Sequence, residues 1–358
     1  MENQYGIEKE GTLIKKSGQK SGESVIIAGP CSAESPEQLL ETARAMKLCG
    51  SVDYFRAGLW KPRTSPDAFQ GIGAEGLEWL SMVKKETGMK IATEVGCEKH
   101  VIEALKYDID LLWIGARTVS NPFVVQEIAE SLRGVDIPVL VKNPLNPDLE
   151  LWYGAITRFM KAGLKNVGAI HRGFSIWGKS VYRNPPLWSI PKALKERLPE
   201  ILLICDPSHI AGKRSLIPLV SRRAMEEGSG GLMVEVHPDP SKAMSDASQQ
   251  LTPASFYDLI RELDLDINEN ISDCSIEELN SEINMVDELL VHTIANRMEL
   301  SRHIARIDKP DCSESTRPEN LKKALKRLLG LASEDGLRPD FVTRLFDEIQ
   351  RESCHINT

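Results

Sequence analysis

The sequence predicts a closed (β/α)8 TIM barrel followed by a small all-α domain, and three observations carry that prediction. Between Val25 and Val236, eight short β-rich apolar runs alternate with amphipathic helical stretches, the pattern of repeated βα units around a parallel sheet. Each run delivers a polar or reactive side chain at its C-terminal end, where barrels of this kind carry their active sites. Beyond about residue 262 the strand signal stops and only helical periodicity remains.

In chain order the runs are VIIAGP (25–30), YFRAGL (54–59), KIATEV (90–95), LLWIGA (111–116), PVLVKN (138–143), NVGAIH (166–171), ILLICD (201–206) and GLMVEV (231–236). Eight units in roughly 240 residues match a closed barrel better than an open doubly wound sheet, which remains the structural alternative.

The acidic segment ELDLDINENISDCSIEE (262–278) reads as a linker. After it, Ile276, Leu279, Ile283, Val286, Leu290 and Ile294 recur at steps of three and four and continue through Leu300 and Ile304, predicting a helix over about 276–307. At ~1.5 Å per residue that helix is on the order of 50 Å long, wider than a small domain, and it needs a partner. Two more helices are expected, from Pro318 to about Ser333 and from Pro339 to about Ser353, separated at Asp335-Gly336. Three helices make a thin core alone, so a homodimer is the natural way to bury the long stripe. The expected limits are an N-terminal extension at 1–22, the barrel at 23–262, a linker at 263–274 and the helical domain at 275–358.

With 52 acidic and 44 basic residues the chain carries a net charge of -8, and 41% of it is hydrophobic. Global disorder is excluded, and no overall field favours nucleic acid or an anionic membrane, so anionic ligands must be held by a local cluster. No apolar run approaches the ~18–20 residues of a membrane span and MENQYGIEKEGTLIKK lacks the apolar block of a signal peptide, so a cytoplasmic protein is expected. Seven cysteines without a CxxC motif are expected as free thiols, apart from any that meets a metal.

The strand ends carry Cys31, Arg56 with Lys61 and Arg63, Glu94, Arg117, Lys142, Arg172, Asp206 with His209, and Glu235. Six of these, Arg56, Lys61, Arg63, Arg117, Lys142 and Arg172, are cations on an acidic chain. Arginine forks suit oxyanions and lysine adds a compact charge, so the rim can neutralise two phosphorylated substrates. A second subset resembles a metal site: Cys31, His209 and Glu235 end the first, seventh and eighth runs, neighbours in a closed barrel, and Asp246 follows the eighth. A thiolate, an imidazole and two carboxylates suit Mn2+, Fe2+, Zn2+ or Co2+ and suit Mg2+ poorly, without choosing among the first four.

The strings GPCSAES, FRAGLWKPRTSPDAFQG, IGART, VKNP, DPSH and VEVHPDP followed by SDASQQL resemble 3-deoxy-D-arabino-heptulosonate 7-phosphate (DAHP) synthase in its shorter form, over about residues 23–262. The resemblance implies that Cys31, His209, Glu235 and Asp246 bind the metal. It implies Arg117, Lys142 and Arg172 for phosphoenolpyruvate, with Arg56 and Lys61 reaching its carboxylate and phosphate region. Lys61, Pro62, Arg63 and Thr64, with Asp206, are implied for erythrose 4-phosphate. On the same resemblance the metal would polarise the aldehyde, and Glu94 would orient the added water or manage its proton, with Lys61 as the alternative acid or base. The related 3-deoxy-D-manno-octulosonate 8-phosphate synthase, which takes arabinose 5-phosphate, is the runner-up. It typically has Lys-Ala-Asn-Arg-Ser where this chain has Lys61-Pro62-Arg63-Thr64.

In the tail, Arg297 falls on the apolar face three residues after Ile294, and a buried cation calls for an anionic partner. LNSEINMVDELLVHTIANRMELSRHI and FVTRLFDEIQRES resemble the first and last helices of the all-helical chorismate mutases. That family implies an intertwined dimer whose buried cations bind the carboxylates of chorismate and stabilise the developing ether-oxygen charge, with no metal. Arg297 matches the family's central arginine, Asp287 its first-helix aspartate, Arg317 its loop arginine, Ser353 its last-helix serine and Asn357 its late amide. Three departures stand out: Asn280 occupies the place of the usual first arginine, Asp308 that of a lysine with Lys309 one place later, and Pro318 follows the loop arginine instead of an acid. They leave open a non-catalytic module that senses prephenate, the expected inhibitor, and controls the barrel.

Overall fold

The computed structural model describes residues 24–63, 65–177, 180–268, 287, 290–291, 293–304, 317–334 and 337–355. Eight parallel strands pair in sequence order and close on themselves: β1 (Val25–Gly29), β2 (Tyr54–Arg56), β3 (Lys90–Val95), β4 (Leu111–Ile114), β5 (Val139–Lys142), β6 (Val167–His171), β7 (Leu202–Cys205) and β8 (Gly231–Glu235). Closure rests on β1 pairing with β8, with Val25 opposite Gly231 and Gly29 opposite Glu235. The open-sheet alternative is thereby excluded.

Strand pairing of the second run stops at Arg56, short of the expected Leu59. Beyond it only a bridge between Gly58 and Ser32 remains, because the chain turns inward there: a Cβ on Gly58 would lie 2.7 Å from the Cys31 carbonyl. The outer helices are α1 (Pro36–Cys49), α2 (Glu75–Thr87), α3 (Glu98–Lys106), α4 (Ala116–Val119), α5 (Pro122–Ser131), α6 (Leu149–Lys161), α7 (Ser189–Arg197), α8 (Pro207–Ala211) and α9 (Ile217–Glu226). Side-chain caps start several of them; Ser35, Asn121, Asp148 and Asp206 accept backbone N–H groups at α1, α5, α6 and α8.

Alternation along the strands splits the core in two. Ile27, Tyr54, Trp113, Leu140, Ile170, Ile204 and Met233 fill the barrel interior, while Ile26, Phe55, Ile91, Val141 and Val234 face the helices. Burial on both faces explains why the runs read as continuously apolar.

α10 (Pro253–Asn268) extends through 263–268, which the sequence reading gave to the linker. Phe256, Leu259, Ile260 and Leu263 are all buried, and this three-and-four spacing carries the helix into the acidic stretch. The chain divides into compact units at Met1–Ser272 and Asp273–Thr358. In the second unit the described residues at 293–304 form α11, followed by α12 (Arg317–Glu334) and α13 (Pro339–His355). Among the described residues, no helix is long and apolar enough to cross a membrane.

Candidate active sites

The C-terminal mouth of the barrel encloses a cavity of about 290 Å³ whose lining includes Lys61, Arg63, Arg117, Lys142, Arg172 and Arg183, together with Glu94, His209 and Asp246. Five of the six cations expected at the rim therefore face one space. The sixth, Arg56, is buried beside it, stacked 4.8 Å over the Trp113 ring. Its Nη2 donates to the Cys31 carbonyl at 3.3 Å, whereas Nε and Nη1 are buried with no hydrogen-bond partner. Buried guanidinium N–H groups without acceptors suit an anion.

Lys142 ends β5 and its Nζ lies 2.7 Å from Asp206 Oδ2. Asp206 also caps α8 through the His209 backbone N–H at 3.0 Å and meets the His209 ring at 2.9 Å. Burial pushes the Asp206 carboxyl up, but the charges of His209 and Lys142 outweigh it and hold the group well below the usual carboxylate range. Asp206, which the sequence reading assigns to erythrose 4-phosphate, has both oxygens engaged, by Lys142 and His209, and no exposure. Arg172 follows β6, its backbone N–H donating to Asn143 Oδ1 at 2.7 Å; burial, with Arg183 and Arg117 nearby, pulls its pKa down to about 10.

On β3, Glu94 accepts the Trp113 indole N–H at 3.0 Å. Its carboxylate occupies space that only glycine leaves open, since a Cβ on Gly115 would sit 2.2 Å from Glu94 Oε1. The segment carrying Lys61, Pro62 and Arg63 is closed by Lys61 N–H to Gln70 O at 2.9 Å and Arg63 Nε to Phe69 O at 3.2 Å. Thr64 lies outside the described residues.

Cys31, Glu235 and Asp246 bring their ligand atoms within 4.8 Å of one another. Cys31 follows Gly29 (φ +148°), where a Cβ would collide with the Arg56 carbonyl. Its Sγ lies 2.9 Å from Lys61 Nζ and 3.2 Å from Asp246 Oδ2. Burial, then Glu235, pushes the thiol up to about 12. Glu235 Oε1 is buried without a hydrogen-bond partner and forms an ion pair with Arg56 Nη2 at 3.3 Å. His209, expected in the same set, stands beside the triple, with Nδ1 3.8 Å from Glu235 Oε1 and turned to Asp206. A soft donor and two carboxylates, one with a buried oxygen that accepts no hydrogen bond, fit a divalent transition ion, and Nδ1–H held by Asp206 leaves the other imidazole nitrogen as a donor.

The sequence reading missed Asn143, Arg183, Gln249 and Gln250. Gln250 Oε1 accepts the Cys31 N–H at 2.9 Å, and Gln249 Nε2 donates to Glu235 Oε2 at 2.8 Å. The last two lie in the quoted SDASQQL string, yet adjacent polar residues there look like ordinary surface until the loop is seen folded inward.

In the helical unit Arg297 on α11 donates to Ser353 Oγ at 2.6 Å and to Gln350 Oε1 at 2.9 Å, both on α13. The anionic partner expected for this cation is absent among the described residues; the guanidinium is half-buried and neutral oxygens satisfy it. Asp287 is helical and exposed. Arg317, expected in a loop, is the first residue of α12, a start favoured by proline at the next position. Asn280, Asp308, Lys309 and Asn357 lie outside the described residues.

Comparison with known proteins matches residues 11–269 to the DAHP synthetase I family and residues 279–358 to chorismate mutase type II. The phospho-2-dehydro-3-deoxyheptonate aldolase of Thermotoga maritima is 35% identical over 256 residues, 71% of this chain and 73% of the relative. The 2-dehydro-3-deoxyphosphooctonate aldolase of Variovorax paradoxus is 30% identical over 247 residues, 62% of this chain and 82% of the relative. The crystal structure of the Thermotoga maritima DAHP synthase superposes with a TM-score of 0.61 at 32% identity, covering 68% of this chain and 69% of that one.

Proposed function

This chain belongs to the DAHP synthetase I family and carries a C-terminal type II chorismate mutase domain, and on that premise we propose that the barrel joins phosphoenolpyruvate to erythrose 4-phosphate at a divalent transition metal while the tail converts chorismate to prephenate. The observation that carries the barrel reading is the single cavity in which five rim cations meet Glu94, His209 and Asp246. So dense a positive field on a net-negative chain suits two phosphorylated substrates.

Arg117, Lys142 and Arg172 hold phosphoenolpyruvate, with Arg56 and Lys61 at its carboxylate and phosphate region. The Lys61-Pro62-Arg63-Thr64 loop takes the phosphate of the four-carbon sugar. Cys31, His209, Glu235 and Asp246 hold the metal, which when bound supplies a Lewis acid for the aldehyde oxygen. C3 of phosphoenolpyruvate attacks the aldehyde carbon, leaving positive charge at C2 where water adds. Glu94 Oε1 receives the proton of that water while the Trp113 indole holds Oε2, and Lys61 Nζ is the alternative proton carrier. Loss of phosphate gives the seven-carbon product.

In the tail, Arg297 and Ser353, with Lys309, Arg317 and Asn357, bind chorismate or prephenate, and prephenate inhibits the barrel. Exposed Leu290, Val291, Leu300 and Ile304 support a homodimer through the helical unit. Cys31, Cys97 and Cys205 are free thiols, in keeping with a reducing, cytoplasmic site of action.

The test is a paired assay on the purified full chain: phosphoenolpyruvate consumption with each aldose phosphate, and chorismate loss. Erythrose 4-phosphate should be consumed preferentially, and both chelation and Cys31→Ala should abolish that turnover. Preference for arabinose 5-phosphate moves the barrel to the octulosonate branch. Untouched chorismate with persisting prephenate inhibition makes the tail a sensor only.

A further inference from the structure

Each carboxylate of the Cys31–Glu235–Asp246 cluster has one oxygen tethered and one turned to the cluster. Asp246 Oδ1 accepts Arg183 Nη1 at 2.9 Å, while Oδ2 faces Cys31 Sγ at 3.2 Å. Glu235 Oε2 accepts Gln249 Nε2 at 2.8 Å, while Oε1 is buried with no hydrogen-bond partner, 3.3 Å from Arg56 Nη2. The same Arg183 Nη1 also donates to Gln249 Oε1 at 2.6 Å. A guanidinium has no acceptor and a carboxylate no donor, so these two neighbours permit the Gln249 amide one orientation only.

We propose that Arg183 is the positioning residue of this metal centre: one guanidinium nitrogen orients both carboxylates, Asp246 directly and Glu235 through the Gln249 amide. The proposal rests on the metal reading above. The arginine is itself held in place. Its backbone N–H donates to Ala211 O at 3.3 Å, and the next residue, Asn184, donates through Nδ2 to His209 O at 2.7 Å. Gly212 (φ +69°) is required beneath it, because a Cβ there would lie 2.4 Å from Arg183 Cβ. The segment after β6 thus braces the His209 backbone and both carboxylates together. The strain of Asp246 in the left-handed region (φ +49°) is opposed by this tether.

The test is equilibrium binding of Co2+ to the metal-stripped full chain, read by the thiolate-to-cobalt absorption of Cys31. Arg183→Gln should weaken binding about 10- to 100-fold, the usual effect of removing a group that orients a ligand, and the thiolate band should return at saturation. Arg183→Lys should recover part of the loss. Gln249→Leu should weaken binding too, and the double variant should lose less than the two single losses combined, because part of the arginine's effect passes through that amide. Unchanged affinity in Arg183→Gln, or full additivity, overturns the positioning role while leaving the metal reading intact. Failure of the unsubstituted chain to bind Co2+, or undiminished binding in Cys31→Ala, overturns the metal reading and this role with it.

Discussion

Lys142 Nζ and Asp206 Oδ2 lie 2.7 Å apart with both side chains buried at the barrel mouth, although 64 positions separate them in the chain. Removing one partner strands the other charge out of water. Asp206→Ala should therefore cost on the order of 3–5 kcal/mol, measurable by urea denaturation, and the Lys142→Met, Asp206→Leu double variant should regain much of it. If Asp206→Ala is as stable as the parent, the pair is not a structural necessity.

Arg63 lines the cavity with its Nη1 3.7 Å from Asp246 Oδ2. Arg63→Ala should raise the KM for erythrose 4-phosphate far more than that for phosphoenolpyruvate, by roughly tenfold or more for a lost charge-assisted phosphate contact. Equal rises in both constants would remove the loop from sugar-phosphate recognition.

Gly115 exists to admit the Glu94 carboxylate. A Cβ there would stand 2.2 Å from Glu94 Oε1, so Gly115→Ala should displace that group, and kcat should fall by about 10²-fold or more, the range for a misplaced general base. Glu94→Gln should show a similar loss. Retained thermal stability with retained kcat would exclude Glu94 from proton transfer.

His171 is buried with Nε2 2.6 Å from Pro186 O and Nδ1 without a partner. Burial, aided by Arg172, pulls its pKa from 6.5 to about 4. The unfolded chain takes up a proton below pH 6.5 that the folded chain refuses until about pH 4, so stability contributed by the neutral ring is lost as pH falls through that window. The loss is roughly 3 kcal/mol at its lower end. Denaturation curves between pH 7 and 4 should show this acid slope, and His171→Leu should reduce it by about one proton; an unaltered slope would refute the assignment.

Arg297 links α11 to α13 through Ser353 and Gln350. Arg297→Ala should abolish chorismate loss and prephenate sensitivity together, since both need the same anion pocket. Retention of either property in the variant separates the two activities.

Much of this molecule is legible in one dimension. The eight apolar runs that pair around the barrel are the eight read from the sequence, because strand periodicity and burial on both faces leave a local signal. The rim cations were findable for the same reason, since a residue just past a strand end must lie at the mouth once the barrel closes. Which rim groups touch is another matter. Asp206 engaging Lys142, and Arg183 reaching Gln249 and Asp246, are contacts between loops of different βα units, and no local pattern encodes them, whereas His209 turning to Asp206 is a local helix-start contact three residues long. Arg297 makes the same point in the helical unit: helical spacing put it on the inner face, but the neutral acceptors that satisfy it come from residues more than fifty positions away. Periodicity assigns a side chain to a face and an end of its own element, whereas its partners follow from barrel closure and helix packing, which set the distances between elements.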